Sequence, residues 1–445
     1  MKHRVPRAWV SVPTWLAMAL TASLVHATPE FRVNSYTTGY QRRPAVAMSD
    51  AGDFVVVWES ESQDNGTEGV YGQRYDAFVA PLGGEFQVNT YSTSWQQSPA
   101  VAMDADGDFV VVWNSWEQDG SSYGIYGRLY DGSGGPPGGE FRVNTRTDGR
   151  QSEPSVAMDA DGNFVVVWES HGQDGSSSGI YGQRFDALGS PSGTEFLVNT
   201  QTFEGQYSPS VAMDDDGDFV VVWQSWGQDG SEAGIYGQRY NASGVPQGSE
   251  FPVNTYTVGS QDMPWVAMDS DGDFVVVWQS AGKDSSGFAI AARLYDAAGV
   301  PEGDEFQVNT YEADDQKWPF VAMDADGDLV VTWGSVGEDG DGYGVYGQYF
   351  SAAGIPDGLE FQVNVHTPFD QYIPSVAMNA VGDFAVAWQS WYQDGSSYGV
   401  YSRHYVIPEP ASFGLLGAAI MAVGYRRRRC RRAGVAGSGK TTPNC

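Results

Sequence analysis

The chain has 445 residues, with 24 Lys and Arg against 56 Asp and Glu, a formal net charge of −32. The basic groups cluster at the ends: three lie in residues 1–27 and seven in 426–445, which leaves 14 basic against 56 acidic groups between them. A surface that acidic repels phosphate backbones and anionic lipid, so nucleic acid is set aside as a partner. Apolar residues at 41% and aromatics at 13% exclude a disordered acidic tail. Both cysteines, Cys430 and Cys445, fall in the last 16 residues, so the body must be held by packing, or by packing plus ions.

Residues 1–27 read as a secretory signal peptide. Lys2, Arg4 and Arg7 form its basic region, residues 15–25 its apolar stretch, and Val25 and Ala27 supply the small residues for cleavage before Thr28.

From there to residue 405 one unit is copied seven times. Glu-Phe-x-Val-Asn begins at Glu30, Glu85, Glu140, Glu195, Glu250, Glu305 and Glu360, always 55 residues apart. Gln-x-x-Pro, Val-Ala-Met and a Trp recur with the same period, and a fixed period of this size means a solenoid, propeller or array. Each unit reads as four short strands. In the second copy these are the Gln-x-x-Pro strand ending at Met103, then 108–113, 124–130 and 140–144, separated by polar Gly-rich turns. Apolar residues on both faces of 108–113 mark a strand buried on both sides. No amphipathic helix is evident between 28 and 405. The fold class is therefore all-β: a seven-bladed β-propeller of four-stranded antiparallel blades. The chain opens on a lone Glu-Phe strand and ends one strand short of a full unit, so the N-terminal strand is expected to complete the last blade and remove an open edge.

Three features carry candidate chemistry. The first is the acidic turn, Asp104/Asp106/Asp108, repeated as Asp159/Asp161/Asn163, Asp214/Asp216/Asp218, Asp269/Asp271/Asp273 and Asp324/Asp326/Asp328. Alternating carboxylates on a short loop can converge on Ca²⁺, which takes six to eight oxygens; plain hairpin turns also favour Asp and Gly. These turns resemble the calcium loops of integrin-type propellers, without their later glycine and distal acid. The whole repeat resembles units common in large exported calcium-binding bacterial proteins. Ca²⁺ is thus the one cofactor implied. The second feature is the Gln-Asp-Gly loop (Gln118-Asp119 and its copies), suited to sugar hydroxyls, to metal or simply to turning the chain. The third is a set of tryptophans outside the repeat pattern: Trp116, Trp226 and Trp391 in three copies, and Trp95, Trp265 and Trp318 in one each. Such rings suit a rim that binds a sugar face or a protein. No catalytic residue is assigned, because no unique polar cluster stands out from the repeat.

After residue 405, Pro408-Glu409-Pro410 precedes an apolar segment, 411–425, and an arginine cluster, 426–432. Fifteen helical residues rise only about 22 Å, short of a hydrocarbon core of roughly 30 Å. Residues 406–432 resemble the PEP-CTERM sorting signal of Gram-negative bacteria. The resemblance implies processing by an exosortase near Pro408, Glu409 and Pro410, a transient membrane anchor through 411–425, and delivery to the cell surface or extracellular matrix. Residues 433–445, which such signals usually lack, read as a disordered tail. They contain a GxxxxGK[ST] pattern with no strand before it and no room for a helix after it, so no nucleotide site is assigned. The function expected is a structural or adhesive one, toward polysaccharide or a surface protein. The alternative is a carbohydrate-binding or carbohydrate-active propeller using the central channel.

Overall fold

The computed structural model describes residues 26–407 apart from 65, 66 and 285. They form seven antiparallel sheets, one per repeat. In the first blade the strands are Gln41–Met48, Phe54–Glu61, Glu68–Tyr75 and Phe86–Gln87, in that spatial order. The Gln-x-x-Pro strand is innermost in every blade: its residues from all seven copies line one central cavity. The Glu-Phe strand is outermost.

The core lies between blades. Each cluster joins the second and third strands of one blade to the inner, second and third strands of the next, as where Val165, Val167 and Ile180 meet Val211, Phe219 and Trp223. The seven repeated tryptophans are at most 1% exposed, and each sits in one of these seams. The second strand is sealed on both faces, as its apolar run implies; Phe109 to Trp113 are all 0% exposed. The seventh seam joins Ala385, Ala387 and Val400 to Val33, Val46 and Phe54, so the ring closes with the same packing used elsewhere.

Closure uses the N-terminal strand. Phe31 and Arg32 pair with Ser402 and Tyr401 on the third strand of the last blade. Next to them His26 and Ala27 pair with Val406 and Tyr405. Thr28, the first residue after the expected cleavage site, is held on both sides: its amide donates to the His404 carbonyl at 2.8 Å and its carbonyl accepts from Arg403 Nε at 2.9 Å.

The polar signature residues brace this ring. Each Asn of Glu-Phe-x-Val-Asn accepts an amide of the third strand, as Asn144 does from Ile125 at 2.7 Å, and most donate to the following Gln, as Asn144 does to Gln151 at 3.2 Å. The Glu of the motif bridges two blades. Glu195 accepts the Thr145 amide of the preceding blade at 2.6 Å and the Gln173 amide of its own at 2.6 Å.

Candidate functional site

The two faces of the ring divide the candidate residues. The acidic turns join the ends of the inner strands to the second strands and lie on one face. The Gln-Asp-Gly loops, the starts of the inner strands and the extra tryptophans lie on the other, here called the top.

On the lower face the carboxylates expected to converge on an ion are instead divided among separate tasks. The first acid of each turn caps its own loop. Asp104 Oδ1 accepts the amides of Asp106 and Asp108 at 3.0 and 2.9 Å; Asp159, Asp214, Asp269 and Asp324 repeat this arrangement. The middle acids, Asp106, Asp161, Asp216, Asp271 and Asp326, are exposed at the tips of the turns. What each gives the turn is its backbone amide, donated to the first acid at 2.9–3.0 Å. The third acid anchors the neighbouring loop, with Asp108 Oδ1 accepting the Gly132 amide at 2.6 Å, and Asp218, Asp273 and Asp328 acting alike on Ala242, Ala297 and Ala352. The glycine is required twice over: Gly217 has φ +84°, and a Cβ there would lie 3.1 Å from Asp159 Oδ2 of the previous blade.

Among the described residues no group of three or more His, Cys, Asp or Glu is placed to hold a metal ion. Within the ligand set expected from the sequence, the first acids (Asp104, Asp159, Asp214, Asp269, Asp324) and the third (Asp108, Asp218, Asp273, Asp328) accept backbone amides of different loops, while the middle acids (Asp106, Asp161, Asp216, Asp271, Asp326) are exposed at the tips. The tightness of the turn commits the first carboxylate to backbone amides and puts the middle residue at an exposed tip. The turn oxygens fit amide capping better than a calcium cage.

The Gln-Asp-Gly loops are braces too. Gln173 accepts from Ser170 at 2.6 Å while donating to Glu195, and Asp174 Oδ1 accepts the Ser176 amide at 3.0 Å. Two copies depart. Lys283 forms an ion pair with Glu305 at 2.6 Å. Glu338 faces Glu360, and burial, then that neighbour, push its carboxyl up to about 8.

The top mouth of the channel is where the copies differ most. Two residues after the Gln of every inner strand the register slips, and the residue before the proline adopts φ between 49° and 54°. A bulge of this kind re-aims a side chain, and all seven of these residues line the cavity of ≈ 540 Å³. Their identities are Arg43, Ser98, Glu153 and Ser208 around one side, then Met263, Trp318 and Ile373. Left-handed backbone at a non-glycine residue costs roughly 1–2 kcal/mol, and neighbouring blades offset it. In five of the seven blades the residue after the core Trp accepts the strained amide of the next blade: Glu59 from Ser98 at 2.7 Å, Glu169 from Ser208 at 2.8 Å, Gln224 from Met263 at 3.2 Å, Gln279 from Trp318 at 3.1 Å and Gln389 from Arg43 at 3.0 Å.

On the polar side Arg43 donates to Ser98 Oγ at 2.6 Å and lies 3.7 Å from Glu59 and 3.9 Å from Glu153. The Glu59 side chain is fully buried and also holds Arg42 at 2.8 Å. Glu169 lacks such a cation at contact distance; burial pushes its carboxyl up to about 7, and Glu153 adds to the shift. On the apolar side Trp265 packs on Phe320 at 4.3 Å, and Trp318 packs on Tyr343 and Tyr372 at 4.9 and 5.1 Å. A unique polar cluster therefore exists, contrary to the sequence reading. Arg43, Ser98 and Glu153 stand 55 and 110 residues apart at one position of the repeat, where another copy also carries a serine, Ser208.

The extra tryptophans gather on this same face. Trp116 contacts Trp95 and Tyr123 (5.9 and 4.8 Å), Trp391 contacts Tyr398 and Tyr392 (4.4 and 5.1 Å), and Trp226 is 44% exposed beside the loop at Gly205.

The described residues form a seven-bladed β-propeller, and the PEP-CTERM protein-sorting motif matches residues 406–429, which implies export and processing by an exosortase. Pro408, Glu409, Pro410 and the apolar segment 411–425 lie outside the described residues. Among the described residues no helix is long and apolar enough to cross a membrane. No curated protein matches the sequence. Among solved structures the chain is similar to a protein of unknown function from Dyadobacter fermentans, with TM-score 0.53 and 10% identity over 86% of this chain and 99% of that one. It is also similar to a fungal alcohol oxidase of the AA5 family in complex with copper, with TM-score 0.50 and 12% identity over 86% and 76%. An α-L-arabinanase of Penicillium chrysogenum complexed with arabinobiose gives 0.49 and 14% over 69% and 94%. At these identities the first two likenesses bear on the fold alone.

Proposed function

We propose that this protein is a structural or adhesive propeller of the cell surface or extracellular matrix of a Gram-negative bacterium, and that it holds its ligand at the top mouth of the channel. One observation carries the reading: the Glu and Asn of the outer strand and the Gln of the inner strand, which brace the ring, are the same in all seven copies, whereas the residues before the prolines that meet at that mouth diverge. Selection for the ring alone gives no reason for Arg43 and Glu153 to face Trp318 and Ile373 across one cavity. An opening of ≈ 540 Å³ is within the range of ligand sites. An extracellular polysaccharide or a surface protein is the expected ligand class, and the strongly acidic body argues against polyanions. Calcium has no required part in this reading.

The test follows the protein in its host. With Pro408, Glu409 and Pro410 replaced by alanine, the chain should accumulate unprocessed in the membrane fraction and leave the surface; unchanged surface delivery would overturn the sorting half of the proposal. Purified protein should bind matrix material from the same cells, and failure to bind would overturn the adhesive half. A carbohydrate-active variant of this reading draws on Glu169, whose raised carboxyl beside Glu153 is the kind of group a general acid needs. Release of reducing ends from a bound glycan would favour it.

A further inference from the structure

Blades six and seven carry a continuous row of aromatic rings across the top face. It starts at Trp318 on the channel wall and passes to Tyr372 at 5.1 Å and on to Tyr398 at 5.9 Å. From there it runs to Trp391 at 4.4 Å, Tyr392 at 5.1 Å and Phe369 at 6.1 Å. The inner rings are half-buried and fixed by packing, while Tyr392 and Phe369 at the outer end are 52% and 53% exposed. Hydroxyls punctuate the row, with the Tyr372 hydroxyl donating to that of Tyr398 at 2.7 Å. The charges beside it are acidic or compensated: Asp370 accepts the Tyr343 amide, and Lys317 is paired to Asp315 at 2.6 Å. The positions of Trp318, Tyr392 and Phe369 are aromatic in no other copy, and those of Tyr372, Trp391 and Tyr398 in at most half of the others, so the row is not a by-product of the repeat.

We infer that this row is a binding track for a neutral polysaccharide chain, which lies along blades six and seven with one end in the channel mouth. The inference rests on the adhesive reading above and names its ligand class. Successive ring centroids are 4.4–6.1 Å apart with planes turned by 36–79°, so ring faces and ring edges both line the row. Each pyranose has an apolar face for stacking and hydroxyls for the intervening Tyr and Asp groups. The acidic surroundings select against uronate or sulfated chains, since no free cation borders the row among the described residues. At the inner end Arg43, Ser98 and Glu153 offer donors and acceptors to a terminal sugar.

The test is calorimetric titration of the purified full chain with cellohexaose, maltohexaose and a galacturonic acid hexamer. At least one neutral hexamer should bind, with affinity rising from dimer to hexamer, and the uronate should bind at least tenfold more weakly. Trp318→Ala should weaken hexamer binding tenfold or more and Trp318→Phe should largely preserve it. Phe369→Ala should weaken the hexamer threefold or more yet leave the dimer unchanged, a pattern that misfolding would not give. If matrix material still binds but every neutral glycan fails, or if its bound component is a protein, the track is wrong and the adhesive reading stands. If matrix material fails to bind as well, both fall.

Discussion

Replacing Glu169 by glutamine should stabilise the ring in alkaline solution and leave it unchanged in acid. The carboxyl is buried, accepts the Ser208 amide at 2.8 Å, and is pushed up to about 7 from an ordinary value near 4.5. A folded-state value above the unfolded one means that its contribution is fully present below pH 4.5 and is lost as pH rises through 7. At about 1.4 kcal/mol for each unit, the loss approaches roughly 3 kcal/mol by pH 8.5. Glutamine keeps the acceptor without the charge, as Gln224 and Gln279 do for Met263 and Trp318 at 3.2 and 3.1 Å. With unfolding entropy of about 2.1 cal/mol/K per residue over roughly 380 residues, that difference corresponds to a Tm gap of about 4 °C. Differential scanning calorimetry of Glu169→Gln and the parent should therefore show a gap that grows from under about 1 °C at pH 4.5 to about 4 °C at pH 8.5. A gap independent of pH, or a variant less stable at pH 8.5, would refute the reasoning.

Glu338→Gln should also stabilise near pH 8, by about 1–2 kcal/mol once solvent screening at this half-exposed site is allowed for, because it restores the Gln-to-Glu brace of most other blades; denaturant midpoints at pH 5 and 8 check this. Glu59→Gln should act in the opposite sense, lowering stability by about 1–2 kcal/mol near pH 7, since Arg42 and Arg43 would lose their buried counter-charge; urea unfolding measures it. Val33→Asp places a charge at a 5% exposed position of the closing strand and should cost about 3 kcal/mol or more, opening the last blade to exchange in hydrogen–deuterium measurements before the others. For the acidic turns, thermal midpoints in millimolar calcium and in EDTA should agree within about 1 °C. A ligand at a hundred times its dissociation constant adds about 2.7 kcal/mol, so a shift of several degrees would make the turns ion sites.

Blade number, strand content and ring closure were all legible in the 55-residue period, because each brace and core residue recurs in every copy. The missing fourth strand announced the clasp. The innermost strand was not legible, since inner and outer strands both read as short and half-polar. The channel mouth was hidden for a related reason. Arg43, Ser98, Glu153 and Trp318 are ordinary residues within their own repeats, and only the ring brings them together. Nothing in Arg43 or Trp318 signals a positive φ, which a side chain of the neighbouring blade, Gln389 or Gln279, stabilises by accepting the amide. Two polar patterns have local partners that the sequence does not show. The alternating acids of the turns suggested one shared ligand set, yet Asp214 caps its loop, Asp216 stands in solvent and Asp218 holds the adjacent loop. In the Gln-Asp-Gly loop, Gln173 donates to Glu195 on the outer strand and Asp174 Oδ1 accepts an amide of its own turn, while Asp174 Oδ2 is buried without a hydrogen-bond partner. Of the copy-limited tryptophans, Trp116 and Trp391 lie on the top face with Trp95, Tyr392 and Tyr398.

The claim that this top mouth is the ligand face is open to a direct test, because the body contains no cysteine. With Cys430 and Cys445 changed to serine, a single cysteine can be placed at Ser208 on the channel mouth or at Ser243 on the lower face and coupled to a bulky polyethylene glycol maleimide. Binding of each conjugate to matrix material from the producing cells is then compared with that of the uncoupled protein. Coupling at Ser208→Cys should abolish binding and coupling at Ser243→Cys should leave it intact; equal binding by both conjugates, or loss only at Ser243→Cys, would contradict a ligand face at the top.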